Sequence, residues 1–99
     1  MKEYRVQWSR LALIDMDSSI EWGLEHWGPD ATERWLNDFE TRIRERLSNL
    51  PNACSFAPES VDFNIEIRQL IVNRYRVLFT VTENEVRVLR IRGPFNGSV

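Results

Sequence analysis

Residues 24–36 read LEHWGPDATERWL, and the Gly28-Pro29 pair at their centre decides the fold. A glycine is the preferred residue just past a helix C-terminus, and the proline after it cannot continue a preceding hydrogen-bond ladder. Asp30 then opens a second helix. Glu33, three residues on, makes a capping-box-like pair with it, and both charges suit the N-terminal dipole. The stretch reads as a tight turn between two antiparallel helices, an αα-hairpin.

Working back from the turn, Leu13, Met16, Ile20, Leu24 and Trp27 recur at helical spacing, and no strand alternation fits them. Ser9 is a suitable N-cap, so one helix is expected from there to Trp27, with that stripe as its buried face. Ser18 and Glu21 form an S-x-x-E box that offers a restart point within it. Working forward, Leu36, Phe39, Ile43, Leu47 and Leu50 form the buried stripe of the second helix. Arg34/Asp38 and Asp38/Arg42 pair on its outer face, and Pro51 stops it.

Outside the hairpin the period changes to two. Tyr4, Val6 and Trp8 share one face of a half-buried strand over Glu3–Trp8. Residues 51–63 (PNACSFAPESVDF) read as a loop. Three strands follow: Asn64–Val72, Tyr75–Val81, and Glu85–Arg92, whose alternation is the least clean. Asn73-Arg74 and Glu83-Asn84 sit at turns, so the strands form an antiparallel meander. Gly93-Pro94 closes it, and Asn96–Val99 is a short tail. The expected order is β-α-α-β-β-β. That is an α+β fold, an antiparallel sheet with the helical hairpin packed on one face, in one domain over residues 1–99.

Composition narrows the function classes. The 99 residues are 42% hydrophobic, 28% charged and 11% aromatic, ordinary values for a globular chain that needs neither disulfide nor metal. No apolar run approaches the roughly 20 residues that span a bilayer. The start, MKEYRVQWSR, is too polar for a signal peptide, and the lone Cys54 suits a reducing compartment, so a cytoplasmic protein is expected. The net charge of −2 argues against wholesale coating of nucleic acid. It hides an asymmetry: residues 1–63 carry 7 basic and 12 acidic side chains, residues 64–99 carry 6 and 3. Every cation except Lys2 is an arginine, the residue suited to bidentate contact with phosphate or carboxylate.

Most familiar chemistries lack their residues. With one His (His26) and one Cys (Cys54), no zinc-ligand spacing exists, and neither a metal nor a cofactor is expected. A Cys54–His26 nucleophile–base pair is conceivable, although a lone Cys near prolines reads as structural and His26 as a helix-end residue. No nucleophile elbow and no Gly-rich phosphate loop is present. Two constellations remain. Trp8, Trp22, Trp27 and Trp35 all lie in the first 35 residues; Trp22 and Trp35 fall off or at the edge of their stripes and are candidates to line a partner surface. Arg68, Arg76, Arg90 and Arg92 fall one or two per strand. Arg68 and Arg76 share a face if their strands join through three residues, and lie on opposite faces if they join through two. A convergent arginine face away from the helices would bind a phosphate backbone or an acidic peptide.

These pieces together resemble the RelE/ParE superfamily of type II toxin–antitoxin toxins, the plasmid-stabilisation proteins. The resemblance rests on Val6–Ser9 with Ala12, the loop from Pro51 to Pro58-Glu59, and Ile67-Arg68-Gln69-Leu70. It continues through Tyr75-Arg76-Val77-Leu78-Phe79 and Val86–Ile91. It implies the β-α-α-β-β-β fold and a cognate antitoxin, in a homodimer or a toxin–antitoxin hetero-oligomer. RelE-like members are ribosome-dependent mRNA endoribonucleases that use Lys/Arg and often a C-terminal Tyr. This chain has no Lys after Lys2 and no Tyr after Tyr75. Arg68, seven residues before Tyr75, looks more like the ParE arrangement, which implies inhibition of DNA gyrase. Arg92-Gly93-Pro94 stands where many members have a His followed by basic residues. The leading expectation is a ParE-like toxin with partner contacts at Trp22, Trp35, Arg68 and Arg76. The alternatives are a metal-free endoribonuclease using Arg68, Arg76, Arg90 and Arg92, and an inactive toxin-like interaction module.

Overall fold

Ser9 starts the first helix by two bonds from one hydroxyl. Its Oγ accepts from the Ala12 N–H at 3.1 Å and donates to the Leu89 carbonyl at 2.8 Å, tying the helix start to the last strand. The computed structural model describes residues 2–94. In chain order it contains β1 (Arg5–Trp8), α1 (Arg10–His26), α2 (Pro29–Asn49), α3 (Glu59–Phe63), β2 (Arg68–Val72), β3 (Tyr75–Val81) and β4 (Glu85–Arg92). A 3-10 turn at Pro51–Ala53 follows α2. Helix α1 runs unbroken through Ser18, and Gly28, with φ of +86°, makes the left-handed turn into α2 that a side chain would resist.

The sheet order is β1-β4-β3-β2. The β2–β3 and β3–β4 pairs are antiparallel, as the meander requires, but β1 pairs with β4 in parallel, from Arg5↔Glu85 to Trp8↔Val88. The sheet is therefore mixed where a wholly antiparallel one was expected. The two helices carry the chain across before it returns, and such a crossover is what lets strands run parallel.

Two local features set which side chains share a face. Asn73 and Arg74 both have positive φ (49° and 74°), so β2 and β3 join through a two-residue turn with Val72 opposite Tyr75. Arg68 then pairs with Phe79 and Arg76 with Ile71, which puts the two arginines on opposite faces. In β4 a bulge between Val88 and Arg90 leaves Leu89 without a cross-strand partner. One extra residue shifts the phase of the strand. Val86, Val88 and Ile91 consequently all face the hairpin, Arg87 and Arg92 fall on the outer face, and Arg90, just past the bulge, reaches Asp15 of α1. This shift is the reason the alternation of 85–92 looked broken.

The main core lies between hairpin and sheet. Phe39, Ile43 and Leu47 from α2 meet Tyr75, Val77 and Phe79 from β3 and the three β4 residues. Each such fully buried side chain contributes about 1.5–3 kcal/mol of transfer free energy. A smaller cluster of Ala57, Ile67 and Leu78, with Leu89 against it, sits apart from this core.

Three sequence expectations need correction. The loop of residues 51–63 contains α3. The second strand starts at Arg68, not Asn64, because Asn64 takes the left-handed conformation and the Ser60 hydroxyl bonds both the N–H and C=O of Ile67. The buried face of α1 is Ala12, Asp15, Met16, Ser19 and Gly23, whereas Leu13, Leu24 and Trp27 are 53%, 49% and 38% exposed. The helix is rotated by roughly a quarter turn from its apolar stripe. The tail read at residues 96–99 lies outside the described residues.

Candidate functional site

The rotation of α1 opens a groove. Small residues turned inward let the helix lie close to β4, and the larger apolar residues are left facing α2 across a gap. The gap holds about 370 Å³ and is lined by Val6 and Trp8 from β1, Leu13, Met16 and Ile20 from α1, and Leu36 and Ile43 from α2. Asp17, Glu40 and Arg44 add charge to this lining. An apolar floor with charged residues beside it is the chemistry that accepts one face of an amphipathic segment. The periodicity of α1 revealed these residues, but their role was read as core.

At the far end of the hairpin the aromatics form a chain of ring contacts. Tyr75 and Phe39 are buried, and Trp35 stacks on Phe39 at 5.2 Å between centroids. Trp27 meets Trp35 edge-on at 6.0 Å, Trp22 meets Trp27 at 5.2 Å, and the exposed His26 stacks on Trp22 at 3.9 Å. The His26 Nδ1 lies 2.7 Å from the Trp22 carbonyl. Trp35 is thus half-buried against the core, Trp22 sits at the hairpin tip, and Trp8, read as a core candidate, lines the groove.

The four candidate arginines do not converge. Arg68 donates from Nη1 to the Cys54 carbonyl at 2.6 Å and the Asn52 carbonyl at 3.3 Å, with its guanidinium 4.2 Å from the centre of the Phe56 ring. It fastens the 52–56 loop to the edge strand. Arg76 makes a bidentate pair with Glu59 at 2.8 and 3.1 Å and donates twice to Gln69 Oε1. Those bonds hold the Glu59 carboxyl below the usual glutamate range. Arg90 is engaged by Asp15 at 2.8 and 3.0 Å, which raises the guanidinium above its ordinary value. Arg92, opposite Arg76, is exposed. Arg87, absent from the sequence shortlist, is exposed on that same outer face because of the bulge.

Cys54 belongs to the main core, while His26 lies on the surface of α1, so the two are placed for separate packing roles. Among the described residues no three His, Cys, Asp or Glu side chains gather as a metal site, and no helix is long and apolar enough to cross a membrane.

Comparison with known proteins agrees with this geometry. The family described as "ParE toxin of type II toxin-antitoxin system, parDE" matches residues 6–93. A solved structure, "Chromosomal ParDE TA system from P. aeruginosa", contains a chain that superposes with a TM-score of 0.75 at 22% identity. The match covers 92% of this chain and 96% of that one, so the two share a fold. No curated protein sequence matches this chain. From β1 to the end of β4 the family match spans every element described above, and the chain belongs to the ParE-like toxins of type II toxin–antitoxin systems, in the RelE/ParE superfamily.

Proposed function

We propose that this toxin is neutralised in the cytoplasm by a cognate antitoxin whose amphipathic segment seats in the α1–α2–β1 groove, and that the freed toxin acts on DNA gyrase. One observation carries the antitoxin part: α1 keeps Leu13 and Leu24 about half exposed while burying Asp15 and Ser19. A helix that turns its apolar stripe out of the core gains burial only when a partner covers it. Asp17, Glu40 and Arg44 would set the direction of the bound segment through charge pairs at its sides. The gyrase part rests on membership of the ParE-like branch. It is supported by the placement of Tyr75, whose ring is buried under Gly93 and against Phe39 and Trp35, away from any role as an acid or base.

The test has two arms. Leu13→Glu with Ile20→Glu should leave growth arrest intact while co-expressed antitoxin no longer rescues; full rescue would remove the groove from the reading. Purified toxin should inhibit gyrase supercoiling and leave ribosome-bound mRNA intact. Cleavage of the mRNA with no effect on gyrase would replace the gyrase reading by the endoribonuclease one. No growth arrest at all would favour an inactive interaction module.

A further inference from the structure

The groove narrows before the hairpin ends. Gly23 of α1 lies so close to Thr32 of α2 that a Cβ on it would come within 2.8 Å of the Thr32 Oγ1. Beyond this pinch the apolar stripe of α1 rises to the surface: Ile20 still lines the groove, whereas Leu24 and Trp27 are exposed at the hairpin tip. There Trp27 stands at 81° to Trp22 and at 62° to Trp35. A helix laid along the stripe from Leu13 to Trp27 would cover roughly 21 Å, about four turns. Charge is graded along the same path. Arg10 and Arg44 stand at the β1 end of the hairpin, Asp17 and Glu40 at its middle, and Glu21, Glu25, Asp30 and Glu33 around its tip. None of these side chains forms an ion pair among the described residues. Arg34 is the only arginine or lysine in residues 21–37.

We propose that the groove takes an amphipathic helix of graded charge, acidic over Arg10 and Arg44 and basic from Asp17 and Glu40 onward, whose cationic end lies across Trp27 and Trp22. This rests on the reading of the groove as the antitoxin site and specifies the segment that fits it. A lysine or arginine packs its stem along an indole while its head stays among carboxylates, so one side chain answers both features of the tip. A neutral apolar end would cover the tryptophans and leave the carboxylates uncompensated, and an acidic end would set like charges together. The grading also fixes the direction of the segment. Acidic residues stabilise the N-terminus of a helix and basic ones its C-terminus, so the bound helix runs from the β1 end to the tip, parallel to α1.

Two synthetic peptides test this against the full-length toxin by fluorescence anisotropy. Both are helices of about 18 residues with leucines at i, i+3, i+4 and i+7 and glutamates in the N-terminal half. One carries lysines in the C-terminal half and the other glutamines. The lysine peptide should bind at least tenfold more tightly, and Glu21→Gln with Glu25→Gln and Glu33→Gln should remove most of that preference. These three positions are exposed, and circular dichroism melting confirms that the variant is folded. A nitroxide at the C-terminus of the lysine peptide should broaden the indole N–H signals of Trp22 and Trp27 more than that of Trp8. Leu13→Glu with Ile20→Glu should abolish binding of both peptides. Equal affinities for the two peptides, or broadening centred on Trp8, overturn the graded helix and leave the groove standing. Binding that survives Leu13→Glu with Ile20→Glu, or a wild type that binds neither peptide, overturns the groove reading as well.

Discussion

Asp15 on α1 completes the edge of β4 by gripping Arg90, 75 residues away in sequence. The β1 pairing stops at Trp8↔Val88, which leaves the Ile91 N–H without a strand partner. Asp15 Oδ2 accepts that N–H at 2.8 Å and Arg90 Nε at 2.8 Å, and Oδ1 accepts from Arg90 Nη2 at 3.0 Å. A buried carboxylate with three charge-assisted or backbone bonds is stable where an unpaired one would not be.

Asp15→Ala should therefore lower stability by about 2–4 kcal/mol, since it orphans the Ile91 N–H and the inner side of Arg90 together. Asp15→Asn, which keeps one acceptor, should cost less than half of that. Urea unfolding midpoints at constant slope give both numbers, and equal losses in the two variants would contradict this account.

The rotated helix makes a paired prediction. Phe39→Ala empties a fully buried site and should cost about 3–5 kcal/mol. Leu13→Ala, at a position of similar hydrophobicity in the sequence pattern, should cost less than about 1 kcal/mol in the free chain. Thermal melts of the two variants separate a core phenylalanine from a groove leucine.

Gly93 is pressed against Tyr75. A Cβ added there would run into the ring, so Gly93→Ala must displace either the strand end or an aromatic held by Phe39 and Trp35. A loss of about 1–3 kcal/mol is expected, with a change in near-ultraviolet circular dichroism from the disturbed rings. An alanine tolerated without either effect would show that the close approach is dispensable.

Glu59 supplies a pH dependence. Arg76 holds its carboxyl below the ordinary value of 4.5, so in the folded chain it stays ionised to lower pH than in the unfolded chain. Its stabilisation is complete above the unfolded value and is lost as pH falls through the folded one. Glu59→Gln should cost about 1 kcal/mol at neutral pH, discounted for partial exposure of the pair, and nothing once both forms are protonated. A cost that persisted unchanged in strong acid would assign the effect to packing.

Short-range chemistry made much of this protein legible from its residues. Gly28-Pro29 breaks the helices, Ser9 caps the first, Pro51 ends the second, and the period of two in residues 75–81 marks a strand. Those signals act within a turn or two of chain, so the element order and the family resemblance could be read from them. The tertiary structure decided what depends on partners far apart in sequence. A parallel β1–β4 pair, a bulge at Leu89 that turns Arg92 outward, and a two-residue turn that separates Arg68 from Arg76 all set faces by pairing register. The same holds for α1. Its apolar period identified a stripe, but whether that stripe faces the sheet or a groove depends on how Asp15 seats the helix on β4 and how closely Gly23 lets it approach Thr32 of α2. An amphipathic pattern names the face that must be covered, and only packing decides whether the chain's own core or another molecule covers it.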